Sequence, residues 1–303
     1  MGIIADYKNY LTEKKGVSAN TLESYLRDIS QYVSYLCLDD ENELLKTDAA
    51  TVEGYVDHLH SINKSAATVT RTVASIRSLY QFLMLEGLMD SNPAKSVKIE
   101  KVKKKMPEVL TDKEIRLLLE APNANEIKGL RDKSMLELLY ATGIRVSELI
   151  NLDTQDVRYA KGERGEIICR GSKGIRIIPM HREAAETLRK YIVSVRPLLI
   201  SADSGDALFI NLNGSRLTRQ GFWKIVKNYT EIAKISKEIT PHTLRHSFAI
   251  HLYQNGASLH DLQVMLGHSD ISSTQVYAAM SRQNCYGDVY DRCHPLAVAA
   301  KSK

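Results

Sequence analysis

Positions 242 to 252 read HTLRHSFAIHL. If the segment is helical, His242, Arg245 and His246 share one face, because residues at i, i+3 and i+4 stack above one another. Three side chains able to carry positive charge would then converge, and three chemistries are open to them. Two histidines four apart have the spacing of helical zinc ligands. However, the glutamate of HExxH is missing, Arg245 would repel a cation, and no nearby carboxylate completes a shell. His246 or His251 could instead bond a backbone carbonyl inside a core, the reading favoured for His251, which lies off the shared face. An anion site explains more of the composition. Arginine offers a planar fork to paired phosphate oxygens, and histidine adds a hydrogen bond or moves a proton near neutral pH.

Other segments add candidates. In ATGIRVSEL (141 to 149), Arg145 follows a helix-ending glycine and precedes a helix expected to begin near Ser147. An arginine at such a break can project into a cleft, or it can form a surface ion pair with Glu148. In MLGHSDISSTQVYAAM, His268 falls in a turn between helices and Tyr277 lies nine residues later on the next one. Among fifteen tyrosines, Tyr277 taken alone reads as a core aromatic before it reads as a nucleophile.

These residues need elements to hold them. Ser18 is placed to cap a helix through TLESYLRDISQYVSYL, where Leu22, Tyr25, Leu26, Ile29, Tyr32 and Val33 recur at helical spacing. A further helix covers TDAATVEGYVDHLH, and another begins near Ser65 and runs to the glycine of MLEG, before Asn92-Pro93 stops the pattern. Past Pro107, Thr111 and Glu114 form a capping-box pattern, and GLRDKSMLELLYAT ends at Gly143, a natural C-cap. The period then changes. DVRYA, GEIICRG and IRIIPMH predict a short antiparallel sheet with Lys173 and Gly174 near a hairpin tip, and helices are expected from Arg182 nearly to the end.

The 303 residues suit two domains, and 44% hydrophobic with 25% charged residues is a globular composition. Four scattered cysteines without a CxxC indicate neither a disulfide framework nor a zinc ribbon, and predict reduced thiols in a cytoplasmic protein. No signal-peptide core or membrane-spanning run stands out. The net charge is +5, unevenly spread: residues 1–107 hold 14 Lys and Arg against 14 Asp and Glu, and the remainder 27 against 22. Within the balanced part, KSVKIEKVKKK carries six lysines and one glutamate, a solvated linker or a strip that lies beside a polyanion. The expected division is a helical domain over 1–94, a lysine-rich linker over 95–107 and a second domain over 108–303.

Together, ATGIRVSEL, HTLRHSFAIHL, LGHSDISSTQVY and TRQGFWKIVKNY resemble the tyrosine recombinase (phage integrase) family, and within it the Xer recombinases. SANTLESYLRDI and the closing SNPA extend the resemblance over nearly the whole chain. It implies a mainly α fold: an N-terminal helical, SAM-like core-binding domain, then a mostly helical catalytic domain with a small antiparallel three-stranded sheet. By the same resemblance, Arg145 and Arg245 grip the scissile phosphate and His242 and His268 supply hydrogen bonds and proton management. Tyr277 is the nucleophile and Lys173 the general acid. The family commonly reads GKGxKxRxVP, with its lysine eight before the proline. Here RGSKGIRIIP puts Lys173 six before Pro179 and Gly171 at the usual place, with Arg170 as the alternative donor. Ile250 replaces the commoner threonine, and His246 is expected in a supporting role.

The implied enzyme is a site-specific recombinase that cleaves and rejoins DNA through a 3′-phosphotyrosyl intermediate, needing no metal, ATP or other cofactor. Its expected role is resolving chromosome dimers at a dif-like site. A mobile-element integrase and a catalytically inactive DNA-binding architectural protein are the alternatives. Asn20, Thr21, Arg71 and Arg77 in the first domain, and Thr218, Arg219 and Gln220 in the second, are expected to contact duplex DNA. The implied assembly is a homo- or hetero-tetramer on two DNA sites, joined through the C-terminal RQNCYGDVYDRCHPLA, with a DNA translocase of the FtsK type as a possible activator.

Overall fold

The computed structural model describes residues 2–38, 40–98, 107–159, 165–171, 174–267 and 274–277. The chain divides into two compact units, Met1–Lys105 and Met106–Lys303, a boundary inside the lysine-rich segment.

In the first unit, α1 (Ile3–Asn9) continues as a π-helical turn over Tyr10–Lys14, and α2 (Ala19–Leu36), α3 (Ala49–Ser61) and α4 (Ala66–Leu85) follow. Ser18, Asp48 and Ser65 cap the last three, each accepting the backbone N–H three residues on. Ile29 and Tyr32 of the α2 stripe are buried, while Leu22, Tyr25, Leu26 and Val33 pack at the edge of the same core. That core holds many tyrosines, and their polar ends are satisfied inside it. The hydroxyls of Tyr32 and Tyr80 lie 3.2 Å apart, and the buried Asp28 carboxylate accepts from Arg71 Nη2 at 2.9 Å and Ser75 Oγ at 2.8 Å.

The second unit opens with α5 (Asp112–Glu120), where Thr111 and Glu114 make the reciprocal capping-box bonds. Next come α6 (Ile127–Thr142) and α7 (Val146–Asn151). Strands β1 (Val157–Tyr159), β2 (Gly165–Gly171) and β3 (Gly174–Met180) form an antiparallel sheet in sequence order, with Ile167 opposite Ile178 and Gly171 opposite Gly174. The chain returns through α8 (Arg182–Lys190) and a π-helical Tyr191–Val195 into α9 (Arg196–Leu199), then α10 (Arg219–Ile232), α11 (Pro241–Gln254) and α12 (Leu259–Leu266).

The expected run of helices after Arg182 is broken between α9 and α10. There the only regular pairings among the described residues are bridges of Ala207 to Asp153 and Ile210 to Arg216. The reason is the sequence SADSGDALFINLNGS, whose turn residues interrupt helix while its apolar centre, Ala207 to Ile210, is fully buried. No helix among the described residues is long and apolar enough to cross a membrane.

Gly143 ends α6 in the left-handed region at φ 61°, and a Cβ there would lie 2.2 Å from the Phe248 ring of α11. Gly143→Ala should therefore combine left-handed strain with overpacking and cost roughly 2–4 kcal/mol. Equilibrium denaturant unfolding checks this, and an unchanged midpoint would refute the close packing of α6 on α11.

Candidate active site

Thr240 caps α11 and Pro241 occupies its first turn, which starts the helix so that His242, Arg245 and His246 fall on successive turns of one side. The three differ in burial: His242 is exposed, His246 half-buried and Arg245 only 5% exposed. A buried guanidinium must find acceptors. Nη1 of Arg245 donates to the carbonyl of Gly143 at 2.7 Å, the C-terminal end of α6, and Nη2 to that of Leu266 at 2.6 Å, the end of α12. Both carbonyls stand at helix C-termini, where the dipole favours a cation.

Two further arginines reach the same helix end. Arg176 Nη1, from β3, donates to the Met265 carbonyl at 2.7 Å, and Arg145 Nη2 donates to the Gly267 carbonyl at 3.1 Å. Three consecutive carbonyls thus gather three arginines. Glu148 offsets their mutual repulsion: Oε1 accepts from Arg145 Nη1 at 3.3 Å and from Arg176 Nη2, while Oε2 accepts the Arg145 backbone N–H at 2.7 Å. Arg145 is therefore both in an ion pair with Glu148 and at the rim of a cleft of about 810 Å³ that it shares with Arg170, Arg176, His260 and Gln263.

Electrostatics sort these groups by task. Burial, then repulsion from Arg145, pushes the Arg245 pKa down to about 10, which leaves it charged at neutral pH. Burial, then the neighbouring His242 and Arg245, pushes His246 down to about 4, so this imidazole is neutral at pH 7. Tyr277, 1% exposed in a short helical turn over 274–277, has its hydroxyl 3.0 Å from His246 Nδ1. Burial raises the pKa of this phenol while the Arg245 charge opposes the rise.

The remaining expectations fall out variously. Lys173 and His268 lie outside the described residues, as does the segment RQNCYGDVYDRCHPLA. The flanking Arg170 pairs through Nη1 with Asp156. Arg219 and Gln220 are exposed at the first turn of α10, and Thr218 is its cap. In the first unit, Asn20 is exposed, Thr21 donates its backbone N–H to the Ser18 cap, and Arg71 is half-exposed beside Asp28. Arg77 is held by two backbone carbonyls. Nε and Nη2 donate to the carbonyls of Ala94 and Val97 at 2.8 and 2.6 Å, so its guanidinium ties the SNPA segment to α4. His251 differs from expectation, since Nδ1 meets the Tyr140 hydroxyl at 2.8 Å and not a backbone carbonyl. Sequence reasoning passed over Arg176, although it stands at the arginine of the GKGxKxRxVP pattern, three before Pro179. Among the described residues no three His, Cys, Asp or Glu side chains gather as a metal site.

Comparison with known proteins gives this arrangement relatives. Residues 108–284 match the model of the phage integrase family, and residues 4–87 match the phage integrase N-terminal SAM-like domain. The chain is 41% identical over 295 residues to tyrosine recombinase XerD of Staphylococcus epidermidis, covering 97% of this chain and 99% of the relative. To tyrosine recombinase XerD of Oceanobacillus iheyensis it is 44% identical over 299 residues, covering 97% and 98%. Among solved structures, the fold resembles XerH site-specific recombinase bound to palindromic difH substrate in a post-cleavage complex. That match has a TM-score of 0.75 at 20% identity, covering 95% of this chain and 84% of the other. A lambda integrase dimer bound to a core site matches with a TM-score of 0.70 at 20% identity, covering 94% and 78%.

The cleft floor carries a chemical test of its packing. Cys169 lies there at 1% exposure, and burial pushes its thiol up to about 12, whereas Cys37 is exposed. Because the thiolate is the reactive form, iodoacetamide at pH 8 should modify Cys37 and spare Cys169 until the protein unfolds. Peptide mass mapping reads the outcome, and rapid labelling of Cys169 in the native protein would show the cleft floor to be open.

Proposed function

The chain belongs to the phage integrase family and is a site-specific tyrosine recombinase, and we propose that it resolves chromosome dimers at a dif-like site by the chemistry of the residues just described. The observation that carries the reading is the meeting of Arg145 and Arg245 on the carbonyls of Gly267 and Leu266, with Tyr277 bonded to the helix that bears Arg245. Two fixed cations and a tyrosine hydroxyl are what phosphodiester exchange requires.

The reaction builds charge on the non-bridging phosphate oxygens, so preorganised cationic donors favour the transition state over the ground state. In this proposal Arg145 and Arg245 are those donors. The two carbonyl bonds of Arg245 use two of its five N–H groups, and others remain for an oxygen. His242, exposed at the start of α11, and His268 add hydrogen bonds. Tyr277 attacks phosphorus as its phenolic proton passes to the His242 and His268 pair, the bond to the 5′ oxygen breaks, and Lys173 protonates that leaving oxygen. The 3′-phosphotyrosyl ester retains roughly the energy of the broken bond, so attack by a partner strand's 5′ hydroxyl reverses the step and rejoins DNA without ATP.

DNA is the substrate in this reading, and the XerH structure of similar fold is a complex with a palindromic difH substrate. Both units contact the duplex in this reading, and neutralisation of its phosphates by lysines and arginines makes binding salt-sensitive. Arg219 and Gln220 are the groove contacts of the catalytic unit, followed by Arg71, Asn20 and Thr21 in the first. Four protomers on two sites exchange their C-terminal segments cyclically, and a DNA translocase of the FtsK type is the expected activator.

Tyr277→Phe should bind DNA like wild type and form no covalent adduct on a nicked suicide duplex, as read on denaturing gels. Adducts persisting at the wild-type level would remove Tyr277 from the reaction. Lys173→Ala should lose at least 100-fold in cleavage rate on the oxygen substrate. It should recover on a substrate with a bridging sulfur, whose leaving group needs no acid. No recovery would take the general-acid role from Lys173, and wild-type cleavage of the oxygen substrate would do the same.

A further inference from the structure

We propose that His246 is a positioning residue for strand cleavage, its Nδ1 accepting the hydrogen bond that sets the Tyr277 hydroxyl relative to Arg245. The inference rests on Tyr277 being the nucleophile. Its geometric basis is that one helix carries all three parts. His242, Arg245 and His246 stand at i, i+3 and i+4 on α11, so a single rigid element spaces the phosphate ligands from the group that holds the attacking oxygen.

The contact is local and directional. Nδ1 and the hydroxyl are 3.0 Å apart, and the two rings pack with centroids 5.7 Å apart at an interplanar angle of 54°. The tyrosine ring is buried with Phe248, Ile250 and Leu266, which fix where the ring lies but offer its hydroxyl no polar side-chain atom. His246 supplies such an atom, and it does so uncharged. A neutral imidazole with its proton on Nε2 leaves a lone pair on Nδ1 for the phenol O–H. A cation in the same place could accept nothing from that hydroxyl and would repel the adjacent Arg245. Burial of this histidine beside His242 and Arg245 therefore suits it to holding a protonated tyrosine ready, while Arg245 awaits the phosphate that completes the charge balance.

Attack needs the oxygen within roughly 3–3.5 Å of phosphorus and in line with the leaving group, and displacements of about 1 Å can cost 100-fold in rate. A tyrosine held through His246 is registered to Arg245 by one turn of α11. That hydrogen bond adds a polar anchor at the oxygen end of a ring whose body is held by apolar packing.

The test compares His246→Leu, which keeps volume without polarity, with His246→Asn, whose side-chain amide can occupy the Nδ1 position. Rates of adduct formation on a nicked duplex bearing a dif-like site are measured with wild type and Tyr277→Phe alongside, together with duplex affinity and melting temperature. His246→Leu should slow adduct formation at least tenfold with affinity within about twofold, and His246→Asn should recover most of that rate. Wild-type kinetics in His246→Leu would overturn the proposal. An Asn variant as slow as Leu, both folded, would overturn it too by reducing His246 to ring packing. If the Leu variant does not fold, His246→Gln takes its place, because its amide mimics Nε2, and equal rates for Gln and Asn would refute the assignment. Adducts formed by Tyr277→Phe would instead defeat the nucleophile assignment on which the inference stands.

Discussion

A guanidinium buried to 5% exposure is the constraint around which the catalytic unit is organised. Removing Arg245 from water would cost several kcal/mol were its donors left unmet, and its fork is met by carbonyls from two different helix ends. The C-termini of α6 and α12 must therefore meet at α11. Gly143 and Gly267 make this possible, since both close their helices in the left-handed conformation and turn the chain away. Phe248, packed where a Cβ on Gly143 would lie, locks the approach from the apolar side.

That arrangement yields function because it concentrates unsatisfied positive potential. Arg145, Arg176 and Arg245 gather on three consecutive carbonyls, and Glu148 answers two of the three charges. The partial negative charges of a helix end hold the cations in place without neutralising them, so capacity for an anionic oxygen survives. Beside this cationic centre sits Tyr277, the nucleophile of the proposed reaction, in a setting that keeps it neutral. Tyr277 is buried, its ionisation is opposed by that burial, and its hydroxyl partner is an uncharged histidine. The DNA-free site is thus charged for phosphate and quiet toward solvent.

Much of this was legible in the sequence wherever the signal is local. Ser18, Ser65 and Thr111 with Glu114 mark helix starts, Gly143 marks an end, and alternating β-branched residues mark the sheet. The HTLRH spacing placed His242 and Arg245 on one side of a helix. What escaped depends on partners distant in the chain. Arg77 reads as a free surface arginine until its two carbonyl acceptors near Ala94 arrive from beyond the end of α4. The buried run Ala207–Ile210 lies in a stretch of turn residues that no periodicity describes. Arg176 and Glu148, 28 residues apart, become one unit only when β3 folds back beside α7. His246 reads only as a supporting residue of unstated task, because its partner, Tyr277, is 31 residues away.

One buried arginine assembles the helix ends and, in the proposed reaction, also serves the scissile phosphate. Arg245→Lys separates these tasks from mere charge, since an ammonium cannot span the Gly143 and Leu266 carbonyls and an oxygen with the planar geometry of a guanidinium. The most direct measurement is the single-turnover rate of covalent adduct formation by Arg245→Lys, read beside its unfolding free energy. The account predicts a rate at least 100-fold below wild type together with a loss of roughly 2–4 kcal/mol in stability. A lysine variant that cleaves at the wild-type rate with undiminished stability would contradict it.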